Sequence, residues 1–129
     1  MTWWDCVDSI CSSGYYPAGS WEKELDRIEK VVEKFQKPFF FAECGCMSVT
    51  GSSKAPNDWT IRGTVNLQEQ ADWYAEMFEA CQKRSWVGGF CLWDWPFKQY
   101  STHKAKSNCG YNIYAKPAQD VVKKYYSLL

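Results

Sequence analysis

The chain has 129 residues, and its 15 basic and 15 acidic side chains leave no formal net charge. This length suffices for one small domain with a real core, and the charge balance offers nucleic acid or an anionic membrane no electrostatic attraction. No apolar run approaches the roughly 20 residues of a membrane span, and residues 1–5 lack the basic and apolar regions of a signal peptide. These features argue against nucleic-acid and membrane partners.

The composition is rich in aromatic residues, with eight Trp, eight Tyr and seven Phe. A core of this size does not need so many rings, and surplus aromatic side chains are often used to stack on ligands. Sugars and nucleobases both present flat faces of this kind, so composition alone leaves the ligand class open.

The seven cysteines are odd in number and show no paired CxxC spacing. They favour free thiols in a reducing compartment, and hence a cytoplasmic location for this segment. Cys44 and Cys46 flank Gly45 and suggest a metal site, but neither a second Cys pair nor a His lies at ligand spacing. We therefore expect small buried hydrophobic thiols, with no metal and no cofactor.

Residues typical of turns and helix caps mark the boundaries of the first predicted strand and helix. A strand is predicted from Asp5 to Ser13, and Gly14 and Pro17 end it. Ser20 is placed to cap a helix, whose apolar residues recur at steps of four and three. Those residues are Trp21, Leu25, Ile28, Val32 and Phe35. One stripe of this helix is expected to be buried.

The second strand, residues 37–45, carries a lone acidic residue at its end. Pro38 starts it, Phe39 to Ala42 form an apolar run, and Gly45 releases the chain into a loop. Since side chains alternate along a strand, Phe39, Phe41 and Glu43 are predicted to share one face. Glu43 is the candidate catalytic group, although a structural glutamate paired with a nearby Arg or Lys is an equal alternative.

A long polar loop, residues 47–65, contains Trp59 and exceeds the usual connection length, which favours a functional role. A second helix is predicted from Asn66, which forms a capping box with Glu69, to the basic residues at 83–84.

The third strand is predicted from Val87 to Trp95, with Trp93 and Trp95 on one face and Asp94 on the other. A polar stretch holds the only histidine, His103. A Ser-His-Asp triad with Ser101 is disfavoured because the GxSxG pattern does not occur, and a solvent-exposed histidine is expected. Pro117 marks the first turn of a last helix, with Val121, Val122, Tyr125 and Leu128 on its inner side.

The alternation of strands and helices predicts an α/β fold with parallel strands and right-handed crossovers. In (β/α) architectures the functional groups lie at the C-terminal ends of strands. Here these ends carry Tyr15 and Tyr16, then Glu43, then Trp93, Asp94 and Trp95. A carboxylate, phenols and indoles together suit a carbohydrate site.

Four motifs carry a family resemblance: Tyr15-Tyr16-Pro17, the Glu43 strand, the segment from Trp86 to Trp95, and Lys116-Pro117-Ala118. Together they resemble the C-terminal part of a clan A glycoside hydrolase. Within that clan the chain is most similar to glycoside hydrolase family 113, whose known members are β-1,4-mannanases. The resemblance implies a partial (β/α)8 TIM barrel, with residues 1–129 as one C-terminal segment that supplies strands six to eight.

The resemblance also implies residue roles. Glu43 would be the nucleophile of a retaining endo-β-1,4-mannanase-like hydrolase, Tyr16 a phenol near it and Trp93 a platform under the sugar. Further substrate contacts would come from Tyr15, Trp59, Asp94 and Trp95. The acid/base of that clan lies on the fourth strand, so this segment would lack it and would be inactive alone.

Two other functions remain open. The chain could be a non-catalytic carbohydrate-binding protein that uses only its aromatic platform. It could also be an inactive half-barrel assembly unit, whose strand edges pair with another copy or with a missing N-terminal barrel half, because unpaired edges are unstable in water.

Overall fold

The computed structural model describes residues 3–127 and alternates strands with helices. The strands are β1 (Ile10–Ser13), β2 (Phe39–Cys44) and β3 (Val87–Leu92), and the α-helices are α1 (Trp21–Phe35), α2 (Leu67–Cys81) and α3 (Pro117–Tyr126). Short 3-10 helices lie at Trp3–Cys6, Ser52–Lys54 and Thr102–Ser107. The described helices are all too short or too polar to cross a bilayer.

The three strands form one parallel sheet in the order β1, β2, β3, which confirms the predicted α/β class. The predicted start of β1 at Asp5 is wrong, because Trp3–Cys6 is a 3-10 helix and the strand begins at Ile10. Its first partner is Phe39, the first residue of β2. Residues before Ile10 have no strand to pair with, so they cannot extend the ladder.

Strand β3 also ends before its predicted limit. It stops at Leu92 rather than Trp95, and a cis peptide joins Trp93 to Asp94. The Trp93 amide still donates to the Cys44 carbonyl at 2.7 Å, which fixes the end of β3 against the end of β2. Beyond this bond the chain leaves the sheet.

Helix α1 confirms its predicted bounds and apolar stripe, since Trp21, Leu25, Ile28 and Val32 are buried. Ser20 occupies the N-cap position, but its hydroxyl donates to the Pro17 carbonyl instead of capping the helix. Burial of this stripe supplies most of the stability of such a helix, so the missing side-chain cap is tolerated.

Helix α2 shows half of the predicted capping box. The Asn66 side chain accepts a hydrogen bond from the Glu69 amide at 3.0 Å. The Glu69 carboxylate, however, accepts from the Gly51 and Ser53 backbone amides and from the Asn66 side-chain amide. The Asn66 backbone amide instead donates to the Ser48 carbonyl. Glu69 therefore fastens the long loop to the start of α2.

Helix α3 begins at Pro117 as predicted and rests against α2. Its Tyr125 ring stacks on Phe78 of α2 with centroids 5.1 Å apart. Val121 and Val122 are half-buried against the core, which agrees with the predicted inner side. Leu128 lies outside the described residues.

Candidate active site

Glu43 lies at the C-terminal end of β2, but not on the face that alternation predicts. Phe41 and Cys44 are both fully buried although they are three residues apart. Faces alternate every residue in a regular strand, so the alternation breaks between them. Glu43 therefore does not continue the face of Phe39 and Phe41, and the prediction of a shared face is wrong.

The break is a β-bulge, visible in the pairing of β2 with both neighbours. On one side Ser12 pairs with Phe41 and the next residue of β1, Ser13, pairs with Glu43, which leaves Ala42 as the extra residue. The register with β3 shifts in the same interval. Bulges re-aim side chains, and this one turns Glu43 away from the helices, to the side where Ala42 is exposed.

Tyr15 is the phenol next to Glu43. The turn that carries it is fixed by the Gly14 amide, which donates to the Glu43 carbonyl at 2.7 Å. A Cβ on Gly14 would lie 2.8 Å from the Phe41 ring, so only glycine permits this approach. Burial, and then the hydrogen-bonding influence of the Glu43 carboxylate, raise the pKa of Tyr15 well above its ordinary value, which keeps the phenol a proton donor.

Tyr16 occupies a different environment, which corrects the role that the resemblance implies for it. Its ring packs edge-on against Trp21 and Phe41 in the core. Its hydroxyl lies 3.2 Å from the Ser12 hydroxyl. The Tyr16 hydroxyl is thus engaged with β1, whereas the Glu43 carboxylate helps to raise the pKa of Tyr15, so the structure associates Tyr15, and not Tyr16, with Glu43.

Gly45 brings the ends of β2 and β3 together. A Cβ at this position would lie 2.1 Å from the Trp93 carbonyl oxygen, so a side chain cannot be accommodated without moving the backbone. The Trp93 side chain is half exposed, at 49 %, and its carbonyl accepts a 3.4 Å hydrogen bond from Tyr74. A flat, open indole next to the Glu43 strand end can stack on a sugar face.

The remaining predicted residues spread outward. Asp94 is partly buried after the cis peptide, and the exposed Trp95 packs edge-on against Tyr114. Trp59, in the long loop, is 70 % exposed, and its carbonyl accepts a hydrogen bond from Arg62. The structure thus brings Tyr15, Glu43 and Trp93 to neighbouring strand ends, and a role for Trp59 in binding substrate stays a prediction.

Tyr111 is a site residue that the sequence reasoning missed. Its ring meets Tyr15 edge-on at 6.3 Å, and it would lie 3.3 Å from a Cβ on Gly45. Its hydroxyl donates to the Pro56 carbonyl at 2.7 Å, so it also ties the long loop to the site. The available signal was an aromatic residue, between Gly110 and Asn112, in an otherwise polar stretch.

The charges around Glu43 bear on the structural alternative. Across residues 3–127, no Lys, Arg or His lies within ion-pairing distance of the Glu43 carboxylate. That part of the chain also holds no group of three His, Cys, Asp or Glu suited to a metal ion. His103 is exposed, as predicted, within the 3-10 helix Thr102–Ser107. Within residues 3–127, Glu43 therefore has no salt-bridge partner.

The model of Glycoside Hydrolase Family 113 matches residues 1–116 of the chain. The chain belongs to glycoside hydrolase family 113. A GH113 β-1,4-mannanase structure superimposes with a TM-score of 0.95 at 51% identity, over 98% of this chain and 41% of that chain. The GH113 β-mannanase AaManA from Alicyclobacillus acidocaldarius, in complex with ManMIm, gives a TM-score of 0.92 at 41% identity over the same shares.

These matches confirm that this GH113 chain has the fold of part of a TIM barrel, spanning about two fifths of the length of the structures it matches. A GH2 β-galacturonidase from Eisenbergiella tayi, with 18% identity and a TM-score of 0.65, shares the fold alone. A search of curated proteins gave no match.

Proposed function

We propose that this chain is the C-terminal segment of a retaining endo-β-1,4-mannanase and that Glu43 is its nucleophile. The observation that carries the proposal is a carboxylate at a barrel strand end with no cation partner among residues 3–127, next to the turn that carries Tyr15. Membership of a family that includes structures described as β-1,4-mannanases supports the substrate class.

The reaction would be a double displacement. The Glu43 carboxylate attacks the anomeric carbon while the glycosidic C–O bond breaks, which gives a glycosyl-enzyme ester. A second carboxylic acid, about 5.5 Å from the first in retaining enzymes, protonates the leaving oxygen. The same group then deprotonates the water that releases the sugar. We assign this acid/base to a part of the barrel outside this chain.

Tyr15 and Trp93 would support this step in different ways. A phenol that stays protonated can donate to one oxygen of Glu43 and direct the other at the anomeric carbon. The half-exposed Trp93 indole offers a stacking surface for the sugar ring that is attacked.

The rest of the barrel would complete the fold. The side of the sheet that carries Ala42 is open, and Cys11 on β1 and Cys91 on β3 are exposed as well. Small exposed residues along parallel strands are typical of a barrel interior that other strands close. We therefore infer that an N-terminal barrel half, in the same polypeptide, covers this surface.

The test uses the intact polypeptide that carries this chain. Its mass should exceed twice the 15.0 kDa of the segment, and it should hydrolyse β-1,4-mannan with retention at the anomeric carbon. Glu43→Ala should lower kcat by at least about a thousandfold. Added azide should then restore turnover and yield an α-mannosyl azide, since it attacks from the face that the carboxylate has vacated.

Glu24→Gln is the matched control, because Glu24 lies on α1 and pairs with Arg27 at 2.9 Å. It should leave kcat unchanged. Full activity of Glu43→Ala would overturn the assignment of the nucleophile. An intact protein that binds mannan without cleaving it would instead favour the carbohydrate-binding function.

A further inference from the structure

A buried lysine lies behind the candidate site, in the Lys116-Pro117-Ala118 motif. The Lys116 ammonium donates to the Ser48 hydroxyl at 2.8 Å and to the Gly110 carbonyl at 2.9 Å. The Ser48 hydroxyl in turn donates to the Asn108 carbonyl at 2.8 Å. We propose that Lys116 is a positioning residue, which holds residues 108–112 so that Tyr111 keeps Tyr15 in place against Glu43.

The energetics of Lys116 are unusual for a residue with no direct role in binding substrate. It is only 2 % exposed, and no carboxylate among residues 3–127 lies within ion-pairing distance of it. Burial lowers its pKa to about 8, although Cys109 and Asp94 act in the opposite direction. An unpaired buried cation is costly, and the hydrogen bonds to the Ser48 hydroxyl and the Gly110 carbonyl offset part of that cost.

A second buried polar residue grips the same segment. Gln70 on α2 donates to the Tyr111 carbonyl at 3.0 Å and to the Cys46 carbonyl at 2.7 Å. It thereby joins residues 108–112 to the loop that follows Glu43 and Gly45. Lys116 and Gln70 together fix the backbone on both sides of Gly110.

From this backbone the contacts lead to the carboxylate. The Tyr111 ring lies edge-on against Tyr15, and Gly14, which precedes Tyr15, donates its amide to the Glu43 carbonyl. The Glu43 carboxylate also contributes to the raised pKa of Tyr15. Displacement of residues 108–112 would move Tyr111 and remove its packing contact with the Tyr15 ring. The Tyr15 hydroxyl would then be free to move away from Glu43. The effect of Lys116 on catalysis would therefore pass through the Tyr15 hydroxyl.

The chain offers a matched control in Lys37, which precedes β2 at the opposite end of the sheet. Its ammonium donates to the carbonyls of Trp4, at 2.6 Å, Asp5, at 2.9 Å, and Val7. Both lysines fasten a loop through backbone carbonyls, but only Lys116 fastens one that touches the candidate site. Substitution of either lysine should reduce stability, but only substitution of Lys116 should also reduce turnover.

The experiment compares Lys116→Met and Lys37→Met in the intact protein, and this inference rests on the proposed function. Lys116→Met should lower kcat on mannan by about tenfold with KM little changed. In a Tyr15→Phe background, Lys116→Met should lower kcat by less than about twofold, because the hydroxyl that Lys116 helps to position is absent. Lys37→Met should lower Tm without changing kcat.

Hydrogen exchange gives a readout that does not depend on activity. Amide exchange should rise in residues 108–112 of Lys116→Met and in residues 3–8 of Lys37→Met. Unchanged exchange in residues 108–112, or a full tenfold loss that persists in the Tyr15→Phe background, would overturn the positioning role. Failure of the wild-type protein to cleave mannan would overturn the proposed function instead, and the exchange result would still stand.

Discussion

Two regions of this molecule treat carboxylates in opposite ways. Between α1 and the turn before β3, the Arg84 guanidinium contacts Glu22 at 3.0 Å, Asp26 at 2.8 Å and Glu29 at 2.8 Å. At the end of β2, Glu43 meets a phenol and no cation among the described residues. In the first region the carboxylates are paired with cations, and in the second the carboxylate stays available.

The difference separates stability from chemistry. A carboxylate that is shared with a guanidinium has a stabilised charge and a lowered nucleophilicity, as the lowered pKa of Glu22 beside Lys83 and Arg84 illustrates. A carboxylate held only by a neutral donor can still attack an electrophilic carbon. The comparison predicts that substitutions in the Arg84 cluster change unfolding, and that those around Glu43 change turnover.

The largest expected effect after Glu43 itself concerns the two adjacent tyrosines. Tyr15→Phe should lower kcat in the intact protein by about thirtyfold, because one donor to the attacking carboxylate is lost. Tyr16→Phe is the matched control, since its hydroxyl contacts Ser12, and it should stay within about threefold of wild type. Steady-state kinetics on mannan decide between them. A larger loss for Tyr16→Phe would reverse the assignment.

A smaller effect is expected in the Arg84 cluster. Arg84→Met leaves three carboxylates without their shared cation and should lower the free energy of unfolding by about 2 kcal/mol. Arg27→Met, in an exposed pair with Glu24, should cost less than about 0.5 kcal/mol. Urea denaturation measures both, and kcat should be unchanged in each. Loss of turnover in Arg84→Met would contradict the separation of stability from catalysis between the two regions.

The smallest effect is a dependence of stability on alkaline pH. Burial raises the pKa of Cys46 and of Cys81 to about 12, and that of Cys44 further still. Unfolded thiols ionise near pH 9. The stability that these raised values contribute is therefore complete below pH 9 and is lost as pH rises above it.

Lys116 acts in the opposite sense, because its lowered pKa makes the unfolded state bind the extra proton between about pH 8 and 10.5. We expect a net loss of about 1 kcal/mol between about pH 8 and 9.5. Across this range the free energy of unfolding should fall more steeply with pH in Lys116→Met and less steeply in Cys46→Ala. Its slope should be unchanged in Cys6→Ser, which alters an exposed cysteine far from Lys116 in the sequence. A slope unaffected by Cys46→Ala would exclude the thiols as its source.

Local pattern was enough to predict much of the fold. The four-and-three spacing of α1, the Asn66 start of α2 and the Pro117 start of α3 are all confirmed. Each of these helix features depends on residues within one helical turn or on one helix face, so the local sequence determines it. The predicted end of β1 at Ser13 and start of β3 at Val87 are confirmed. The start of β1 and the end of β3 were wrong because a strand extends only as far as its partner does, and the partner is distant in sequence.

The site divides in the same way. The sequence by itself determined that a lone carboxylate follows an apolar strand, that aromatic residues end the strands on either side, and that the chain is related to mannanases. Only the tertiary structure decided that a bulge turns Glu43 away from Phe41 and that Tyr15, rather than Tyr16, is associated with Glu43. It also decided that the Tyr111 ring packs against Tyr15. A one-residue shift in register exchanges the faces of a strand, and which residue takes up that shift depends on contacts between segments far apart in the chain.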